Sequence, residues 1–359
     1  MMERSDKDSL KEKIYAGKRI SVSEAAGLFS WDLIELGRAS DFRMRLRTPG
    51  GRVGFIIDRI INFTNICEAA CAFCAFHARA GRIEPYKLEL DQIMEKVQGL
   101  VAAGGTQVML QGGLHPEYTL DTYSTMVRTI KERFPDIYLH SFSPAELFYV
   151  AQKEAISLDY VVGRLKEAGL DSVPGASDML VERVRARISP KKLTSRQWCG
   201  VMECLHRHSM KSSATMTYGL GETLEERVSH LDLVRDVQDK TGIFRAFIPW
   251  SFSPANTALD HIPPATSIEY LRVVAVSRIF LDNIDYIQAG WLTEGMKLAQ
   301  VALSFGANDM GGVLTEEVVV GATGIQTKAD RDEMIKIIKN AGMIPVQRDS
   351  DYKEIRVFA

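Results

Sequence analysis

Three cysteines within eight residues, Cys67, Cys71 and Cys74, are where chemistry concentrates in this chain. Their spacing, C-x3-C-x2-C, places three thiolates on one loop, and thiolate is the usual ligand of iron–sulfur centres. Three such ligands hold three irons of a [4Fe–4S] cubane. The fourth iron stays open to a small molecule with paired amino and carboxylate groups, as in S-adenosylmethionine (AdoMet). A zinc ion with His77 as fourth ligand is the competing reading, although structural zinc usually takes its ligands as two separated pairs. Inert buried thiols are another. Cys199 and Cys204, beside Trp198 and Met202 on a helix-like stretch, read as core or surface thiols. Five cysteines in 359 residues do not make a disulfide framework.

The elements that must position this loop read as alternating strands and helices. Short β-like runs cover 54–61, 107–110, 137–142, 171–173, 211–217, 244–250, 286–291 and 307–311. Helical periodicity covers 90–103, 119–134, 223–240 and 266–283. Strands alternating with helices imply parallel βαβ units. About eight of them predict an α/β fold of the (β/α) TIM-barrel type, complete or partial, with a doubly wound open sheet as competitor. The cysteine loop follows the first core strand. Polar or glycine-rich segments recur after later strands: Gln111-Gly112-Gly113, Ser143-Pro144-Ala145-Glu146, Gly219-Leu220-Gly221-Glu222 and Ser251-Phe252-Ser253-Pro254. In a barrel these loops converge on the C-terminal face and become one pocket. Residues 1–50 read as a helical N-terminal extension, with Ser21 and Glu24 at capping-box spacing. Residues 51–290 read as the core barrel, and 291–359 as a C-terminal part completing barrel and substrate pocket.

Composition narrows the partners. With 46% hydrophobic and 25% charged residues the chain is ordinary for a soluble globular protein. A formal charge of −2 offers no basic excess for nucleic acid. The longest apolar stretches, such as Val318-Val319-Val320, fall far short of the ~18 residues of a membrane span. The charged start, Met1-Met2-Glu3-Arg4, lacks the apolar region of a secretory signal, so a cytoplasmic location is expected.

The cysteine spacing with an aromatic, Phe73, before the last cysteine resembles the signature of the radical AdoMet superfamily. The run 62–76, Gln111-Gly112-Gly113, His140-Ser141-Phe142-Ser143-Pro144-Ala145-Glu146, Ile188-Ser189-Pro190-Lys191-Lys192-Leu193 and Ala307-Asn308-Asp309 resemble its futalosine/F420 group. Within that group, Ile248-Pro249-Trp250-Ser251-Phe252, Asn256-Thr257-Ala258-Leu259 and Pro345-Val346-Gln347-Arg348-Asp349 most resemble the cyclic dehypoxanthinyl futalosine synthase family. The resemblance implies an enzyme of menaquinone biosynthesis with a [4Fe–4S] cluster, AdoMet and a flavodoxin- or ferredoxin-type electron donor. A 5′-deoxyadenosyl radical would take hydrogen from the ribose of dehypoxanthine futalosine, and the sugar radical would close onto the benzoate ring. Aminofutalosine synthase, where the radical adds to an enol ether, is the sister alternative. An iron–sulfur or zinc sensor that never cleaves AdoMet is the non-enzyme one.

The same resemblance, with the chemistry of the side chains, assigns roles. Cys67, Cys71 and Cys74 are the cluster ligands, and Phe73 lies near the adenine. Gly112 and Gly113 admit the methionine amino group, Glu146 accepts from the AdoMet ribose, and Arg187 meets the AdoMet carboxylate. Trp250, Phe252, Gln288, Trp291 and Asn308 are substrate candidates. His140 and Asp309 are the catalytic ones, His140 as the base that restores aromaticity. Plainer readings stand beside these: Trp250 and Trp291 as barrel core, Glu146 as a helix N-terminal charge, His140 as structural. Two segments depart from the family pattern. Pro174-Gly175-Ala176-Ser177-Asp178-Met179 has Asp for Glu, and Gly219-Leu220-Gly221-Glu222-Thr223 lacks a histidine.

Overall fold

Residues 4–80, 82–314 and 317–359 are described by the computed structural model, which opens with helices Arg4–Tyr15, Val22–Leu28 and Leu33–Arg47. The Ser21 hydroxyl accepts from the Glu24 amide, and the Glu24 carboxylate takes the Ser21 amide, so the capping box forms as the spacing predicts.

β1 (Arg52–Thr64) pairs in parallel with β2 (Gln107–Gly112), and β2 with β3 (Tyr138–Leu139). A second parallel run joins β4 (Ser172–Val173), β5 (Lys211–Tyr218), β6 (Phe244–Ser251) and β7 (Tyr286–Ile287). β8 (Asp309–Leu314) returns to pair with β1. Single parallel bridges, His140 to Ser172 and Gln288 to Asp309, join the two runs. The ring therefore closes: the fold is a (β/α) barrel, and the open doubly wound sheet is excluded. Helices such as Leu90–Ala102, Leu120–Arg133, Leu224–Thr241 and Ser267–Phe280 form the crossovers. β9 (Ile344–Arg348) runs parallel to the first residues of β1, and β10 (Glu354–Val357) lies antiparallel on β9.

Two boundaries differ from the sequence expectation. In the run 286–291 the strand ends at Ile287, only the Gln288 bridge continuing the sheet, because the Gly290 amide bonds the Tyr270 hydroxyl and Trp291 opens the short helix Trp291–Glu294. The last barrel strand begins at Asp309, two residues later than expected. Asn308 just before it bonds both neighbouring strands through its backbone, and its side chain accepts from the Ile287 amide and the Arg278 guanidinium.

Side-chain size decides whether the barrel interior is solid. On β5, Ala214, Met216 and Tyr218 are fully buried, while Ser213, Thr215 and Thr217 face inward. Ala246 on β6 and Gly312 on β8 are equally small. Where bulky branched residues ordinarily fill a barrel, these leave a cavity of about 420 Å³.

Candidate active site at the barrel mouth

The cysteine loop begins where β1 ends, and backbone hydrogen bonds from several loops fix it. Asn65 at its root holds the Tyr86 amide and the Glu84 carbonyl through its side chain, at 2.8 and 2.9 Å. The Glu68 amide donates to the Leu114 carbonyl at 3.0 Å, and the Ala72 amide to the Ile188 carbonyl at 2.7 Å. The Ala258 amide reaches the Ala72 carbonyl at 3.0 Å. Thus the loops after β2, β4 and β6 all grip the same turn.

The residues present fit an iron–sulfur cluster. Burial pushes the Cys71 thiol up to about 12 and raises Cys74, although Lys192 pulls both the other way. Thiols so placed release their protons to a metal. The Leu114 amide donates to Cys67 Sγ at 3.3 Å, a contact that helps set a cluster's potential. His77 Nε2 accepts from Arg79 Nε at 2.8 Å, while its Nδ1 is buried without a hydrogen-bond partner.

Gly112 and Gly113 owe their place to packing. A Cβ on Gly112 would sit 2.5 Å from the Phe63 ring; one on Gly113 would overlap the Ile66 carbonyl and approach Cys67 Cβ to 2.7 Å. Gly113→Ala is therefore expected to shift the cluster loop at about 1–3 kcal/mol and lower iron content after reconstitution. Gly200→Ala, with nothing within 4 Å of the added methyl, is the control and keeps full iron. Equal loading of the two variants would contradict the packing role.

Around the loop, Glu146 accepts the Gly112 amide at 3.2 Å and the Ser143 hydroxyl at 2.6 Å, and burial pushes it up to about 8. The three arginines of 183–187 separate cleanly. Arg183 pairs with Glu226 at the surface, and buried Arg185 donates to the carbonyls of Ser177, Met179 and Leu193. Arg187 is bonded to the Leu220 carbonyl and lies against Gly221. Sequence reasoning missed a buried ion pair: Lys192 Nζ meets Asp178 Oδ2 at 2.7 Å, with the ammonium 5.8 Å from the Phe73 ring centroid.

Below the cluster loop the cavity runs from Phe73 and Cys74, past Trp250, Phe252 and Trp291, to His140, Gln288 and Arg245. Four substrate candidates and His140 thus share one space. Asn308 and Asp309 do not line it. Asn308 is tied to Arg278, Thr48 and the Ile287 amide. Asp309 is fully buried in an ion pair with Arg348, at 2.5 and 2.8 Å. Both serve the barrel's N-terminal end, where a strand-start carboxylate needs a partner once water is gone. Asp58 and Arg245, unremarked in the sequence, do line the cavity. Asp58 was detectable, as a lone carboxylate within the apolar run Phe55-Ile56-Ile57.

The fold has close solved counterparts. A crystal structure of methylornithine synthase superposes with a TM-score of 0.76 at 18% identity, over 94% of this chain and 97% of that one. Residues 61–234 match the radical SAM superfamily, and 241–358 match the CofH/MqnC C-terminal region. The chain belongs to the radical SAM superfamily, an enzyme family whose cofactors are a [4Fe–4S] cluster and AdoMet. Within it, the chain is 41% identical to the cyclic dehypoxanthine futalosine synthase of Halalkalibacterium halodurans, over 98% of this chain and 95% of the relative. It is 39% identical to the 5-amino-6-(D-ribitylamino)uracil–L-tyrosine 4-hydroxyphenyl transferase of Methanothermobacter thermautotrophicus, over 92% of each. No helix among the described residues is long and apolar enough to cross a membrane.

Proposed function

We propose that this chain converts dehypoxanthine futalosine into its cyclic form in menaquinone biosynthesis, in the cytoplasm, with a flavodoxin- or ferredoxin-type donor. The observation that carries the reading is the continuous cavity from Cys74 to Arg245, walled by Trp250, Phe252 and Trp291. It suits a ribose held beneath the cluster loop and an aryl ring stacked among aromatics. The cluster and AdoMet, when bound by the cysteine loop and its neighbours Gly112, Gly113, Glu146 and Arg187, supply one-electron chemistry that removes a hydrogen atom from the ribose.

The chain itself contributes position and exclusion. Trp250 and Trp291 confine the ring against the sugar, so that one new carbon–carbon bond forms in place of many encounters. Phe73 and the neutralised Lys192–Asp178 pair close the cluster side, which keeps water from a reactive carbon centre.

The test is anaerobic turnover of the reconstituted enzyme with AdoMet and dehypoxanthine futalosine, read by mass spectrometry. Substrate-dependent 5′-deoxyadenosine and a product two hydrogens lighter are expected. A product that carries the adenosine would reassign the chain to the aminofutalosine type. The archaeal relative motivates a second assay: transfer of the tyrosine hydroxyphenyl group onto 5-amino-6-(D-ribitylamino)uracil would replace the cyclase reading.

A further inference from the structure

The floor of the cavity holds a cation that regular strand alternation would not deliver. Ser212 on β5 pairs with Phe244 and Ala214 with Phe247, so β6 carries one extra residue between them. Such a bulge re-aims side chains. Here it turns Arg245 into the space that Ala246, Ile248 and Trp250 also face.

Mostly neutral groups hold the Arg245 guanidinium. Nη2 donates to Ser172 Oγ at 2.9 Å and His140 Nδ1 at 3.3 Å; Nη1 donates to Tyr138 Oη at 2.9 Å and to the Ser350 carbonyl. Its carboxylate contact is Asp351 at 3.2 Å, with a side chain 47% exposed to water that screens it. The other cation at this end, Arg348, is fully engaged by buried Asp309. Arg245 therefore presents charge to the cavity without a buried ion-pair partner.

Its neighbours fix the tautomer of His140. A guanidinium can only donate, and the Ser172 hydroxyl, which accepts from Arg245, can give its hydrogen to the same Nδ1 at 2.7 Å. The ring hydrogen then sits on Nε2, which has no hydrogen-bond acceptor among the described residues. Burial, with Arg245 and Arg348 nearby, holds the ring well below 6.5 and so neutral. This revises the base role expected of His140: its accepting nitrogen is saturated, and a second positive charge is disfavoured. The other charged and polar groups at this end include Asp58 from β1, Gln107 from β2, Gln288 after β7 and Tyr352 after β9.

We infer that Arg245, with His140 Nε2–H beside it, forms a carboxylate subsite that receives the acid group of an aromatic substrate at the closed end of the cavity. The Nη hydrogens of Arg245 are already given to protein acceptors, so the guanidinium contributes its charge and the His140 Nε2–H the hydrogen bond; together they suit a carboxylate, and the apolar wall above suits the ring that bears it. The identity of the acid as the benzoate of dehypoxanthine futalosine rests on the proposed function. The subsite asks only for an aryl carboxylate.

Binding to the holoenzyme, followed by quenching of tryptophan fluorescence, tests it with a 3-acylbenzoate and the matching 3-acylbenzamide. The wild type is expected to prefer the acid by about 30-fold, as charge-assisted hydrogen bonds imply. Arg245→Gln is expected to abolish that preference while AdoMet affinity is kept, and Arg245→Lys to retain part of it. Equal binding of acid and amide by the wild type, or an undiminished preference in Arg245→Gln, would overturn the inference. If the preference depends on Arg245 but dehypoxanthine futalosine is never turned over, the subsite stands and the cyclase reading falls.

Discussion

Replacing Lys192 by methionine is expected to cost about 3–5 kcal/mol of stability and to make the bound cluster harder to reduce. The Lys192 and Asp178 side chains are only 15% and 11% exposed and meet at 2.7 Å. Removing the ammonium leaves a carboxylate without a counter-charge in a low dielectric, beside cysteines that are themselves anionic when ligating metal. Each added negative charge disfavours an incoming electron, so the midpoint potential moves down. Asp178→Asn in the same chain removes the orphaned charge and is expected to restore most of the stability. The double-mutant cycle then reports the coupling directly. Anaerobic thermal unfolding and potentiometry are the two readouts. A Lys192→Met enzyme that melts and reduces like the wild type would show the pair to be ornamental.

That pair also explains one departure from the family pattern. The segment 174–179 carries aspartate at 178, which takes a left-handed backbone (φ 50°) from which its short side chain meets Lys192. The other departure, 219–223 without histidine, is closed by Glu222. Its carboxylate accepts the Gly219 and Leu220 amides at 2.7 Å each and pairs with Arg227 at 2.7 Å.

What could be read from sequence was local. The cluster ligands are contiguous, the capping box of Ser21 and Glu24 spans one helical turn, and the barrel strands and helices follow their periods of two and 3.6. What could not be read depends on through-space partners. Lys192 finds Asp178 fourteen positions away, and Arg348 finds Asp309 thirty-nine away. Arg245 faces the cavity only because one extra residue interrupts β6, which no hydropathy pattern records. The family resemblance assigns Asn308 and Asp309 as substrate and catalytic groups. The motif stands at the start of β8, not at its C-terminal end, so its side chains serve the barrel's base.

Replacing Asp58 by asparagine is expected to stabilise the protein increasingly from pH 4 to pH 7, reaching about 4 kcal/mol before levelling off. Asp58 is buried, with Oδ2 accepting from Gln107 at 3.1 Å and Oδ1 left without a partner. Burial pushes it up from 3.8 to about 7, against the pull of Arg348. The sign follows from proton counting. Between these values the folded protein keeps a proton that the unfolded chain releases, so wild-type stability falls as pH rises through this window. Asparagine does not titrate and escapes the loss. Glu146 titrates in the same direction, with a value of about 8, so the difference between variant and wild type is the quantity to follow. A constant difference from pH 4 to pH 8 would mean that Asp58 is ionised throughout. The same titration reaches the floor of the cavity. Above pH 7 the ionised Asp58 adds a negative charge among the groups that face a bound aryl carboxylate, and affinity for the acid should weaken in the wild type. Asp58→Asn should hold its affinity there, so one substitution separates the charge of the floor from its shape.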